Sequence, residues 1–201
     1  MNAREADVID ELTGVAPGSA LDEVRRARGA ARANAQKSFE ALFEPSQPGG
    51  VSIVQRFALA AFVAGLHAEP ETQRFYVRSL AEAGASPALI GAVEAEVARG
   101  AAKGPFGRYP AGRLSVEDFE GALYAPTAES RRALGGRLAT AFAHAHLLVL
   151  HPRDASRDAL RALEAAGWET TEIVTLSQLV AFLTFQIRVV AGLTTLADAS
   201  R

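Results

Sequence analysis

Three of the chain's four histidines, His144, His146 and His151, fall within eight residues, and His67 stands alone. Imidazole titrates near neutrality, so such a cluster suits acid–base catalysis or metal ligation. A metal site wants two imidazoles on one helix face, as His-x3-His provides, with a third ligand converging from elsewhere. His144 and His146 are two apart, about 200° around a helix, and do not share a face. His144 and His151 are seven apart and share one if the helix runs through His151. No metal is expected. Two readings remain: His144 or His151 acts as a general base on a small substrate, or these are helix-end and interface histidines. His151, directly before Pro152, suits the cation that a helix C-terminus favours.

Arg188 and Gln186 sit among Phe182, Phe185, Ile187, Val189 and Val190. A guanidinium buried in such a setting needs a carboxylate partner or an anionic ligand, and arginine clamps a carboxylate bidentately. Arg188 and Gln186 are therefore candidate ligand-binding residues, against the alternative of a structural ion pair to a facing helix or subunit. The stretch KGPFGRYPAGRLS (103–115) interleaves Lys103, Arg108 and Arg113 with Phe106 and Tyr109. Its glycines lack phosphate-loop spacing, so it reads as an ordered connector or pocket rim, with Tyr109 a third ligand-binding candidate. Trp168, after a helix stop, reads as a packing lid. No Ser-His-Asp arrangement and no dinucleotide fingerprint can be assembled.

The elements that must position these groups are helices. Ala, Leu, Glu and Arg abound, and no stretch alternates with period two, so the fold class is expected to be all-α. Ser19 is placed to cap a helix from Ala20, and Gly29 breaks it. A second helix over 30–43 ends before EPSQPGG (44–50), the best candidate linker. The body then predicts helices over 52–67, 70–83 and 87–102, a loop-rich connector (103–126) with a short helix near 116–121, and a long helix over 127–150. Helices over 155–166 and from Thr170, taken as a cap, complete it. Residues 1–50 are expected to form a helical arm and 51–201 the body.

The body reads as a doubled unit. A shift of 83 superimposes Arg74 on Arg157, Leu80 on Leu163, Gly84 on Gly167 and Ile90 on Ile173, while RFALAAF from Arg56 matches RLATAFA from Arg137 at a shift of 81, implying a two-residue insertion. Alanine-rich helices with glycine stops look alike by composition, which is the competing explanation. The run RLATAFAHAHLL followed by ALRALEAAGWETTEIVTLSQLVAFLTFQIRVVAGL resembles the carboxymuconolactone decarboxylase family, which includes the alkylhydroperoxidase D proteins. The likeness is clearest over 127–196 and weaker over 51–102. It implies an all-helical fold, a symmetric homo-oligomer and a small-molecule pocket between helices. The family's peroxidase members carry Glu-x11-Cys-x2-Cys-x3-His; the corresponding positions here fall near Thr140, Pro152, Ala155 and Ala159, and from the earlier glycine near Glu69, Thr72 and Tyr76.

The chain contains no cysteine, so dithiol peroxidase chemistry is excluded. Acid–base chemistry on a small organic acid or lactone is not, since it needs no thiol. The competing expectation is a non-catalytic small-molecule-binding or assembly protein, with a cysteine-containing relative as one candidate partner. With 21 basic against 23 acidic residues and a net charge of -2, no general nucleic-acid or anionic-membrane binder is expected. The charged start MNAREADVIDELTGV lacks an apolar signal stretch, which points to a cytoplasmic location. The span Ile173 to Leu193 approaches bilayer length, yet Ser177, Gln178, Gln186 and Arg188 argue for a core or interface helix. No cofactor is implied.

Overall fold

Most helix boundaries follow local side-chain chemistry. In the computed structural model, which describes residues 7–199, the Asp7 carboxylate accepts the Ile9 and Asp10 amides and starts α1 (Val8–Thr13), a helix that the sequence pattern does not announce. Ser19 caps α2 (Ala20–Ala27), and Gly29 opens α3 (Gly29–Phe43). Ser52 and Gln55 form a reciprocal capping box on α4 (Ile53–Leu66). Proline at the first position starts α5 (Pro70–Glu82) and, with Ser86 as cap, α6 (Pro87–Gly100). The connector makes a 3-10 turn over Arg113–Glu117 rather than a helix at 116–121. Helix α7 (Ala128–Leu150) is interrupted at Gly135, α8 spans Arg157–Ala165, and α9 is the long Thr170–Ala199. Thr170 does not cap α9; it is its first residue, and the Glu172 carboxylate accepts the Glu169 amide at 2.7 Å instead. Among the described residues the fold is all-α, its one strand-like feature a single bridge between Gly107 and Phe119.

Helix α4 is the axis of the core. Ala58 through Ala64 are fully buried, so the helix is apolar all round, as a helix covered on every side must be. It packs against α5, α6, α7 and α9. At Gly65 a Cβ would meet Val97 at 2.4 Å; the hydrogen there is what lets α6 approach.

The helical arm and linker over 1–50 contribute to the core of the body. Val8, Ile9, Phe39 and Phe43 are buried in the same core as α4, and Phe43 stacks on Phe57 at 5.1 Å. The Arg56 guanidinium, 5% exposed, donates to the carbonyls of Val51 (2.9 Å), Leu42 (2.6 Å) and Pro48 (2.7 Å). It thereby ties both ends of the linker to α4. Asp7, Asp10 and Asp22 pair with Arg25 and Arg32 to lock α1, α2 and α3 together. The arm packs on its own body. Residues 1–6, the start of the segment read for targeting signals, lie outside the described residues, as do 200 and 201.

The internal repeat has a geometric counterpart. Gly84 and Gly167 have φ of 88° and 89°. Ala85 N–H reaches Leu80 O at 3.2 Å, and Trp168 N–H reaches Leu163 O at 3.1 Å. Helix α4 begins at 53 and α7 resumes after its break at 136; α6 begins at 87 and α9 at 170. These landmarks are offset by 83, whereas the ends of α4 and α7 (66 and 150) are offset by 84 and the starts of α5 and α8 (70 and 157) by 87. Helix α4 packs on α9 as α6 packs on α7, and α4 meets α7 directly, the reciprocal pattern a pseudo-two-fold produces. By length and composition α7 and α9 are each apolar enough to cross a bilayer. Both contribute a buried stripe to this core, α9 through Leu176, Leu179, Leu183, Gln186 and Ile187.

Candidate functional site

The histidine cluster is buried and hydrogen-bonded within the protein. His144 is buried on α7, and its Nε2 lies 3.1 Å from Ser177 Oγ. The Ser177 hydroxyl donates to Ile173 O at 2.9 Å, so its oxygen accepts the imidazole N–H. Nδ1 is then a lone-pair nitrogen, and it is buried without a partner. Burial pushes the ring below the usual imidazole range. His144 lines none of the described grooves.

His146 donates to Gly100 O at 3.1 Å and stacks on Tyr124 with ring centroids 4.6 Å apart. Burial lowers its ring as well; the Gly100 carbonyl opposes that, and His151 beside it reinforces it. Helix α7 ends at Leu150, so His151 occupies the cap and does not share a helix face with His144. Its Nδ1 lies 3.1 Å from Asp154 Oδ2, and its Nε2 lies 3.2 Å from Ala122 O. Both ring nitrogens face acceptors within the protein. His144 and His151 are thus in separate, filled environments, and neither presents a nitrogen to a ligand.

The candidates on α9 separate too. Gln186 is fully buried and accepts the Tyr76 hydroxyl, with its Nε2 unpartnered. Arg188, two residues on and so about 200° away, is exposed rather than embedded. Tyr109 lines none of the described grooves; its ring lies under the Arg153 guanidinium at 4.0 Å, and its amide donates to Asp118 at 2.7 Å. Trp168 covers its helix junction, donating to Arg137 O at 2.9 Å beneath the Arg137 guanidinium.

What the fold does assemble is a cleft of about 620 Å³ where α4 and α7 end beside α9. His67, the cap of α4, lines it with Thr184 and Arg188 of α9 and Lys103 of the connector; Leu66 and Leu148–Leu150 supply apolar wall. His67 Nε2 lies 3.3 Å from Thr184 Oγ1, and Arg188 follows Thr184 by one helical turn on the same face. Burial, then the Arg188 charge, holds the His67 ring below the usual imidazole range. Arg188 and Lys103 are exposed and have no acidic partner among the described residues. Two smaller grooves, of about 410 and 340 Å³, carry no charged side chain.

Two cations and a neutral imidazole around an apolar-walled cleft suit a small anion. The cations are not consumed by the end of α4, because the Ala68 and Glu69 amides already cap Gly65 O and Ala64 O at 3.0 and 3.3 Å. His67, Thr184 and Lys103 have only a faint sequence signal: His67 is the lone histidine, directly after an apolar helix. Among the described residues no three His, Asp or Glu side chains converge as metal ligands. Compared with family models, with curated proteins and with solved structures, the chain matches none.

Proposed function

We propose that this protein binds a small organic anion, a carboxylate, in the cleft at the end of α4, with Arg188 and Lys103 holding its charge and His67 as the group that can move a proton on it. The observation that carries this reading is the pair of cations that face one groove, without an acidic partner among the described residues, beside an imidazole whose pKa burial lowers. Acid–base chemistry on a small organic acid or lactone thereby shifts from His144 and His151 to His67. A neutral imidazole with a depressed pKa is the form a general base requires. The 83-residue repeat and its reciprocal helix packing support descent from the duplicated helical architecture of the carboxymuconolactone decarboxylase family, without its thiols.

The test is calorimetric titration of the purified chain with acetate, butyrate, benzoate and succinate, with amide NMR shifts to locate binding. Saturable binding that perturbs Ala102, Lys103 and Thr184 is expected. Arg188→Ala together with Lys103→Ala should weaken it at least about tenfold, the equivalent of losing one charge-assisted contact. An unchanged Kd in that double variant would remove the reading. Binding without any turnover of the corresponding lactones or esters would leave a carrier in place of an enzyme.

A further inference from the structure

We propose that the cleft takes up its anion together with one proton, which His67 holds for as long as the anion is bound. The inference rests on the anion-binding reading above and adds its chemistry of uptake. Among the described residues the charged groups lining the cleft with the ring are Arg188 from α9, whose charge acts on the ring, and Lys103 from the connector; the Leu148–Leu150 stretch of α7 and Pro152, which line the same cleft, bring none. Empty, the ring is penalised in its protonated form first by burial and then by the positive charge of Arg188. An anion seated against Arg188 offsets both effects. It cancels the repulsion and gives the imidazolium an acceptor, so the protonated ring becomes the favoured state of the complex. The proton comes from solvent, and the bond formed is one N–H.

Thr184 fits this exchange where Ser177 would not. Ser177, Thr175 and Thr195 on the same helix each donate to a backbone carbonyl four residues back. Among the described residues Thr184 Oγ1 has His67 Nε2 as its hydrogen-bond partner and no such carbonyl. Its hydroxyl is free to donate to the bare nitrogen and to rotate into an acceptor once that nitrogen carries a proton. The His144–Ser177 pair on the same face of α9, with its hydroxyl committed to Ile173, has no equivalent freedom.

The experiment is titration with butyrate in a cationic buffer from pH 5.5 to 8.5, with proton uptake measured in weakly buffered solution and the His67 ring followed by NMR. In the wild type, Kd should rise with pH across the interval between the free and the bound pKa of His67, by up to about tenfold per pH unit and with up to one proton taken up per site, and level off above the bound pKa. The His67 resonance should titrate at least about one unit higher with butyrate than without, a readout needing no variant. His67→Gln should bind with a Kd independent of pH and without proton uptake. A wild-type Kd flat across the range, or a pH dependence retained in His67→Gln, overturns the coupling and leaves the anion site standing. No saturable binding at any pH overturns both.

Discussion

Thr184 Oγ1 lies 3.3 Å from His67 Nε2, and this hydroxyl, unlike that of its neighbour Ser177, is not tied to its own helix. It is the contact that fixes the ring's orientation in the cleft. Thr184→Val keeps the shape and removes the hydrogen bond. Binding of butyrate should weaken about three- to tenfold, as for one neutral hydrogen bond, with thermal stability within about 1 kcal/mol of wild type because the position is only half-buried. Calorimetry and a melting curve on the same sample check both. An unaltered Kd would mean that the hydroxyl does not position the base.

That contact also marks where sequence reading stops. Glycine stops, serine caps and prolines at first positions are local, so the helices around Gly29, Ser52, Ser86 and Gly167 were legible, as was the all-α class. The face that an apolar helix turns to solvent is not local. Around Gln186 and Arg188 most of α9 is apolar, on both faces of the helix, so periodicity could not show that Gln186 points into the core while Arg188 points out of it. His144 and His151 drew notice by clustering, yet a cluster in sequence places side chains around a helix rather than at one point. His67 is brought to Lys103 and Arg188 only by tertiary packing.

The buried histidines should therefore report on stability, and not on ligand. His144→Ala removes a ring buried between α7 and α9, and the resulting cavity should cost about 2–4 kcal/mol. His151→Ala frees Asp154 and the Ala122 carbonyl and loosens the connector, which should cost about 1–2 kcal/mol. Urea denaturation gives both values. In the folded variants Kd for butyrate should stay within twofold of wild type. A tenfold loss in either, with stability intact, would return that histidine to the site.

Acid sensitivity should centre on Glu96, a fully buried carboxylate of α6. Burial alone would raise its pKa. Hydrogen bonds from Ser130, the Thr127 amide (3.0 Å), the Tyr124 hydroxyl (2.8 Å) and Arg99 (3.2 Å) outweigh it and bring the group from 4.5 down to about 2. A folded pKa below the unfolded one means that the ionised form is the stabilising one. The contribution, roughly 3 kcal/mol, is complete above about pH 4.5 and is lost as pH falls toward 2. Glu96→Gln should lower stability at pH 7 by a similar amount and flatten its dependence on pH between 4.5 and 2. If the glutamine variant loses as much stability on acidification as wild type, another carboxylate carries the effect.

The repeat makes a prediction with a built-in control. Gly84 and Gly167 both hold φ near 88°, where an L side chain is strained, and at neither position would an added Cβ meet any atom within 4 Å. Substitution by alanine therefore reads the backbone cost alone, with no clash to confuse it, and that cost is about 1 kcal/mol. Gly84→Ala and Gly167→Ala should each destabilise by that amount and agree within about 0.5 kcal/mol. Because the sites lie in different halves and share no partner, the double variant should show the sum. A control at Gly192, inside α9 and equally open, should go the other way, since alanine is favoured over glycine in a helix by up to about 1 kcal/mol. Equal losses at the two stops with a gain at Gly192 tie the 83-residue offset to a shared conformation; a loss at only one stop would show that the two junctions, alike in sequence, are not energetically equivalent.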